Sequence, residues 1–409
     1  MSLSSAVTLL RGFVVASILT LYDFGLYATL VAIAVFGSSL LGAGAIEATM
    51  KIFPRAWASG WGQQMCNRAD QLLRLIVARS ALVTVVASAV SIVAGYSDWF
   101  VMIVLGVTMA TGTAAMGIYA SAIRSTGNLP SLGKTTLYRT IMAFVLAIAG
   151  AYFGGGLGAI CGEMIAASVG AMIARRESIR LVRTSVKQES DSPEMRLLLE
   201  SEKGGRWLLL GTIAVSLPMY LDRLFVAGVI GTEAAGQYGF LMLLVTGAVT
   251  VAGIVVQKVG PSLVHAQHAG ASVLEQWRIA QTWLICMVVV VCLGTAIAWL
   301  LLIHGPLELI GQRYKLDGIY FLATAALGSL QGVVLLEWIL LSRNLEVRVF
   351  LAAAGYILFI TFLAVWLALI VPTVLQVLTC LIIAKMVHVA LQSVLIISLP
   401  SKPLGLRRL

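Results

Sequence analysis

The chain has 409 residues, 60% hydrophobic and only 11% charged, with a mean hydropathy of +0.97; soluble proteins carry about 25% charged residues, so a soluble globular domain is excluded. The apolar segments are long and continuous rather than alternating over about ten residues, which excludes a β-barrel. A net charge of +10 suits nucleic acid only as a basic face on a soluble module, and here its distribution follows membrane topology instead.

A hydrocarbon core about 30 Å thick takes about 20 apolar residues per helix, so this length accommodates about 12 spans. Apolar runs predict helices near 3–22, 26–50, 75–95, 99–123, 135–153, 156–174, 207–230, 237–258, 279–303, 318–341, 349–371 and 374–399. The first runs from Leu3 to Tyr22 into Asp23-Phe24-Gly25 and a second apolar span, which reads as a transmembrane helix rather than a cleaved signal. With the N-terminus inside, the connections at Asp23, Asp98, Gly154 to Gly158, Glu233 and Pro372 hold no basic residue, and only Arg313 and Lys315 lie outside. Most of the 28 Lys and Arg fall in the other connections, their flanks and the C-terminal tail. This is the positive-inside bias, and it places both termini in the cytoplasm.

The one long connection, Arg175 to Arg206, mixes basic and acidic residues around Ser190-Asp191-Ser192-Pro193 and reads as a flexible or partly helical cytoplasmic linker. The expected organisation is an N-terminal six-helix half over 1–174, a linker over 175–206 and a C-terminal six-helix half over 207–409. A short repeat supports it: Gly25 and Tyr27 match Gly236 and Tyr238 at an offset of 211, and the same offset sets Arg11 on Asp222, beside Arg223. Halves with an even number of spans enter the membrane from the same side, related by an axis along its normal.

The segment Tyr220-Leu221-Asp222-Arg223, then Gly231, Gly236-Gln237-Tyr238, an apolar helix and Pro261, resembles the start of the second half in polysaccharide flippases of the O-antigen and capsule type. These belong to the multidrug, oligosaccharidyl-lipid and polysaccharide exporter superfamily. Asp23-Phe24-Gly25-Leu26-Tyr27 and the helix ending at Pro54 look like the matching stretch of the first half, although Thr20-Leu21-Tyr22 stands where that family often has a basic residue. The resemblance implies an all-α polytopic protein of two six-helix bundles around a central cavity, in a bacterial inner membrane. It also implies an undecaprenyl-diphosphate-linked oligosaccharide as cargo, lipid surroundings and neighbouring polysaccharide-assembly proteins as partners, with no cofactor and no nucleic acid.

A charge at mid-bilayer costs at least about 2.5 to 3.5 kcal/mol on insertion scales, so it faces protein or water. The candidates are Arg11, Asp222, Arg223, Lys385 and His388. Lys385, His388 and Gln392 are spaced i, i+3 and i+7 and share one face of the last helix. Arg11, Arg223 and Lys385, with His388, are expected to bind an anionic head group through charge-assisted hydrogen bonds. The structural alternative has Arg11 snorkelling to the cytoplasmic face and Arg223 paired with Asp222 or Glu163. Glu163 follows the small-residue spacing Gly154, Gly158, Gly162, which suits close helix packing, and Glu163 or Asp222 could carry a coupling proton or sodium ion. Glu337 is expected at the interface.

Enzyme chemistry is poorly represented. Gly127 to Thr135 ends in Gly-Lys-Thr but has five residues between its glycines and follows a membrane helix, whereas a phosphate loop has four and follows a strand. His265 and His268 lack a third metal ligand, and Cys66, Cys161, Cys286, Cys292 and Cys380 are scattered without a CxxC pair. A membrane-embedded glycan polymerase or ligase would need acids on an outer loop, and the longest, His304 to Asp317, holds only Glu308 and Asp317. The remaining alternative to a flippase is a proton- or sodium-coupled drug exporter of the same superfamily.

Overall fold

The computed structural model describes residues 2–42, 45–93, 95, 99–184, 220–343, 345–370 and 372–398. Residues 185–219, which hold most of the expected linker and the start of the expected seventh helix, lie outside the described residues, as do Asp98 and the tail beyond Ser398. Every regular element among the described residues is helical, and nine helical segments there are long and apolar enough to cross a membrane. The protein is an all-α, polytopic membrane protein.

The chain divides into two compact units, Met1–Leu224 and Phe225–Leu409. The first holds α1 (Ser2–Ile18), α2 (Leu21–Gly42), α3 (Ala45–Ala58), α4 (Gly62–Val93), α5 (Trp99–Ser125) and α6 (Leu129–Thr184). Helix α7, residues 220–229, spans the boundary. The second holds α8 (Thr232–His268), α9 (Val273–Ile303), the short α10 (Glu308–Arg313), α11 (Gly318–Ser329), a 3-10 turn at Leu330–Gly332, α12 (Val333–Ser342), α13 (Glu346–Ala368) and α14 (Val374–Ile397).

Side-chain caps start several of these helices where they do. The Thr20 hydroxyl accepts from Asp23 N at 3.1 Å and donates to its carboxylate at 2.7 Å, which fixes the entry of α2. Reciprocal capping boxes, Ser272 with Glu275 and Thr373 with Gln376, open α9 and α14. The offset of 211 seen at Gly25 and Tyr27 also carries Leu21, the first residue of α2, onto Thr232 of α8, and Gly62 of α4 onto Val273 of α9.

The core of the first unit is built from small side chains: Ala110, Ala114, Ala115 and Ala122 of α5 and Ala167, Ala171 and Ala174 of α6 are buried together with Met65, Ile118 and Tyr119. Where lipid surrounds the protein, close approach through small residues replaces the hydrophobic drive for helices to associate. The second unit uses larger aliphatics, Val255, Leu263, Leu335, Leu336, Ile339 and Leu340. Outward faces are apolar too, with Leu82, Val85, Val86 and Val90 of α4 and Leu358, Phe362 and Val365 of α13 exposed. A hydrocarbon surround removes the cost that water would impose on them.

Helix α6 is a hairpin in one continuous run. Gly154 (φ −134°, ψ 17°) and Gly155 (φ 58°, ψ −145°) leave the helical conformation and fold the second arm back on the first, and Gly155 adopts a left-handed φ that glycine tolerates. Along the hairpin Gly150 and Gly158 meet backbone to backbone, and a Cβ on Gly162 would fall onto the carbonyl of Leu146. The glycine face is therefore Gly150, Gly158 and Gly162, while Gly154 belongs to the bend.

Candidate functional site: buried charges in each unit

In the first unit, Glu163 sits on the second arm of α6, beside the close approach at Gly162, where it faces α1 and α2. Arg11 Nη1 is 2.8 Å from both of its carboxylate oxygens, and the Tyr27 hydroxyl donates to Oε1 at 2.8 Å. The pair is largely shielded, with side-chain exposures of 15% for Arg11 and 5% for Glu163. Burial strengthens this attraction and makes an unpaired partner expensive. Arg11 Nε is nevertheless buried without an acceptor.

Arg139, on the first arm of α6, interacts electrostatically with both Glu163 and Arg11. Its stem lies across Gly170, where an added Cβ would meet Arg139 Cγ at 2.8 Å. By its sequence position Arg139 belongs with the basic cytoplasmic flank of the fifth predicted span. The available signal was its place one turn inside the predicted helix 135–153.

Asp222 is buried, at 8% exposure, and its carboxylate accepts the Arg223 backbone N–H at 2.6 Å. Arg223 Nη1 donates to the carbonyl of Ala28 at 3.3 Å, one residue from Tyr27, and Arg223 Nε is buried without an acceptor. Of the two partners expected for Arg223, Glu163 is engaged by Arg11 and Tyr27. The first unit thus gathers Arg11, Arg139, Glu163, Tyr27 and Arg223, with Asp222 next in sequence.

In the second unit, Lys385, His388 and Gln392 do share one face of α14 and are 3%, 0% and 0% exposed. Tyr356 of α13 stacks on His388 with ring centroids 5.0 Å apart at 16°, and Lys385 Nζ stands 5.0 Å from the Tyr356 centroid, a cation–π arrangement. Glu337 of α12, expected at the interface, is turned inward: its Oε1 is 3.7 Å from His388 Nε2, and its side chain is 13% exposed. Lys385 also interacts electrostatically with Glu337. The cluster can balance one carboxylate with one ammonium and hold His388 between Glu337 and Gln392, whose amide nitrogen is 3.4 Å away.

Other polar groups are spent at helix ends. Arg175 binds Asp70 through Nε at 2.9 Å and Nη2 at 2.8 Å, and the Tyr119 hydroxyl donates to the same carboxylate at 2.5 Å. Arg343 donates to Gln276 at 2.9 Å and to the Ala271 carbonyl at 3.1 Å. Among the described residues no three His, Cys, Asp or Glu side chains come together as a metal site, and the side chains of His265 and His268 lie outside them.

No protein-family model matches this chain, and no curated protein matches it. Among solved structures it is similar to the lipid II flippase MurJ in an inward closed conformation, with a TM-score of 0.64 at 11% identity over 97% of this chain and 86% of that one. It is also similar to an inward-facing multidrug resistance transporter of the MATE family in the MOP superfamily, with a TM-score of 0.63 at 12% identity over 96% of this chain and 93% of that one. A MOP superfamily transporter from Pyrococcus furiosus, described by the reverse polarity of its binding pocket, matches with a TM-score of 0.52 at 14% identity over 96% and 94%. At these identities the likeness establishes the fold, which is that of the MOP transporters.

Proposed function

We propose that the chain is a flippase that carries an undecaprenyl-diphosphate-linked oligosaccharide across a bacterial inner membrane for surface polysaccharide assembly, by alternating access rather than by catalysis. The observation that carries this reading is the excess of cations in the first unit, where the partly buried Arg11, Arg139 and Arg223 stand against the buried carboxylates Glu163 and Asp222. A diphosphate loses hydration on leaving water, and guanidinium groups in a shielded site replace it with charge-assisted, geometrically matched hydrogen bonds. The fold agrees, since it is found in a lipid II flippase.

The working architecture is two six-helix halves, 1–174 and 207–409, joined by the linker 175–206. In support, α1, α2, α4, α5 and the two arms of α6 supply six segments, and α7, α8, α9, the α11–α12 pair, α13 and α14 supply six more. The offset of 211 aligns the starts of α2 with α8 and of α4 with α9.

The second reading, an ion-coupled exporter of small molecules, is favoured by the likeness to a multidrug transporter and by the buried carboxylates Glu163, Asp222 and Glu337. Deleting the gene separates the two. The flippase reading expects lipid-linked repeat units to accumulate on the cytoplasmic side and surface polysaccharide to fall, and Arg223→Ala at equal expression should reproduce much of that loss. Unchanged polysaccharide together with a new drug sensitivity would favour the exporter.

A further inference from the structure

We infer that Glu163 is the resting occupant of a diphosphate site, holding Arg11 until the diphosphate of the cargo replaces it, and that Glu163 leaves this bond by taking up one proton. The inference rests on the reading of the cargo as a lipid diphosphate.

Both oxygens of Glu163 are already committed, to Arg11 and to the Tyr27 hydroxyl. Even so, the cations around it remain under-satisfied, for Arg11 Nε and Arg223 Nε are buried N–H groups with no acceptor. Buried guanidinium N–H groups are normally satisfied, and a single carboxylate cannot reach them all. A diphosphate has more acceptor oxygens and more charge than a carboxylate, so it can serve Arg11, Arg139 and Arg223 together.

The exchange balances. The ion pair between Arg11 and ionised Glu163 breaks, an ion pair between Arg11 and a phosphoryl oxygen forms, and an aqueous proton neutralises the carboxylate. Without that proton a buried anion would be left beside an incoming anion, which is strongly unfavourable. The charged or titratable groups that face Glu163 are Arg11 from α1, Tyr27 from α2 and Arg139 from the first arm of α6. Those of α4 and α5 near the hairpin, Asp70 and Tyr119, are engaged elsewhere, Asp70 accepting from both Arg175 and the Tyr119 hydroxyl.

The test uses the full chain in detergent with farnesyl diphosphate as the probe, by calorimetry in buffers of different ionisation enthalpy, which counts protons taken up per probe bound. The wild type should take up about one proton more than Glu163→Gln, and the ratio of their dissociation constants should change by up to about tenfold per pH unit while Glu163 is ionised, the wild type weakening as pH rises. Tyr27→Phe, which frees one oxygen of Glu163, should bind more tightly than wild type at neutral pH and keep the extra proton. Equal proton counts with parallel pH profiles, or Tyr27→Phe binding no more tightly than wild type, overturn the exchange and leave the flippase reading intact. Failure of every form to bind the probe overturns the diphosphate site, while accumulation of lipid-linked units in the deletion strain judges the cargo separately.

Discussion

Lys385 is held by the aromatic face of Tyr356 and the charge of Glu337, on a polar stripe with His388 and Gln392 along a largely apolar helix. Breaking a buried charge pair from one side leaves the other partner uncompensated, which costs about 3 to 5 kcal/mol, whereas replacing both by neutral groups is far cheaper. Lys385→Met should therefore lower the apparent melting temperature in detergent sharply, and Lys385→Met with Glu337→Gln should regain most of it; an additive double mutant would contradict the pairing. The stripe of Lys385, His388 and Gln392 was legible in the sequence because it lies on one helix and follows from helical spacing. Its partners were not, since Glu337 and Tyr356 come from other helices and nothing local marks which way a carboxylate near a helix end turns. Arg139 was missed for a related reason: an arginine one turn inside a span looks the same whether it reaches for the cytoplasm or lies across Gly170 toward Glu163.

At the scale of elements, the α6 hairpin separates two roles that glycine plays a few residues apart. A Cβ on Gly158 would fall onto the Gly150 carbonyl, whereas a Cβ on Gly154 meets nothing within 4 Å. Overpacking costs about 1 to 3 kcal/mol even where atoms can move aside, and backbone has little freedom to do so. Gly158→Leu should thus destabilise strongly, and Gly154→Ala should stay within about 0.5 kcal/mol, as measured by thermal unfolding in detergent. The sequence revealed the bend and the small-residue face, but it assigned Gly154 to the wrong one, because spacing alone does not say where a helix stops. Helix starts were displaced for another physical reason. Hydropathy detects only the apolar stretch, so α4, predicted from 75, begins at Gly62 with polar turns that include Arg68, Asp70 and Arg74. A 3-10 turn at Leu330–Gly332 interrupts the expected tenth span, and the short α10 falls in a connection read as loop.

For the whole molecule, the long apolar runs marked a multi-pass all-α protein, and the distribution of Lys and Arg adds an expected orientation independently of any contact. Single cysteines in a cysteine-free background test that orientation: Glu308→Cys should be labelled from outside by an impermeant reagent and Ala269→Cys only after permeabilisation. Reversed labelling would overturn the orientation. The cargo was less readable, since the fold hosts both a lipid II flippase and multidrug transporters, and the choice falls to the buried charges. The most direct measurement reconstitutes the purified chain in liposomes with a fluorescent polyprenyl-diphosphate oligosaccharide in both leaflets and follows its loss to a membrane-impermeant quencher. Wild type should bring the protected half of the signal into reach of the quencher, and Arg11→Ala and Arg223→Ala should slow this at least tenfold, about 1.4 kcal/mol on the barrier. Signal that stays half protected with folded wild-type protein, or exposure unaffected by either arginine, would contradict the flippase reading.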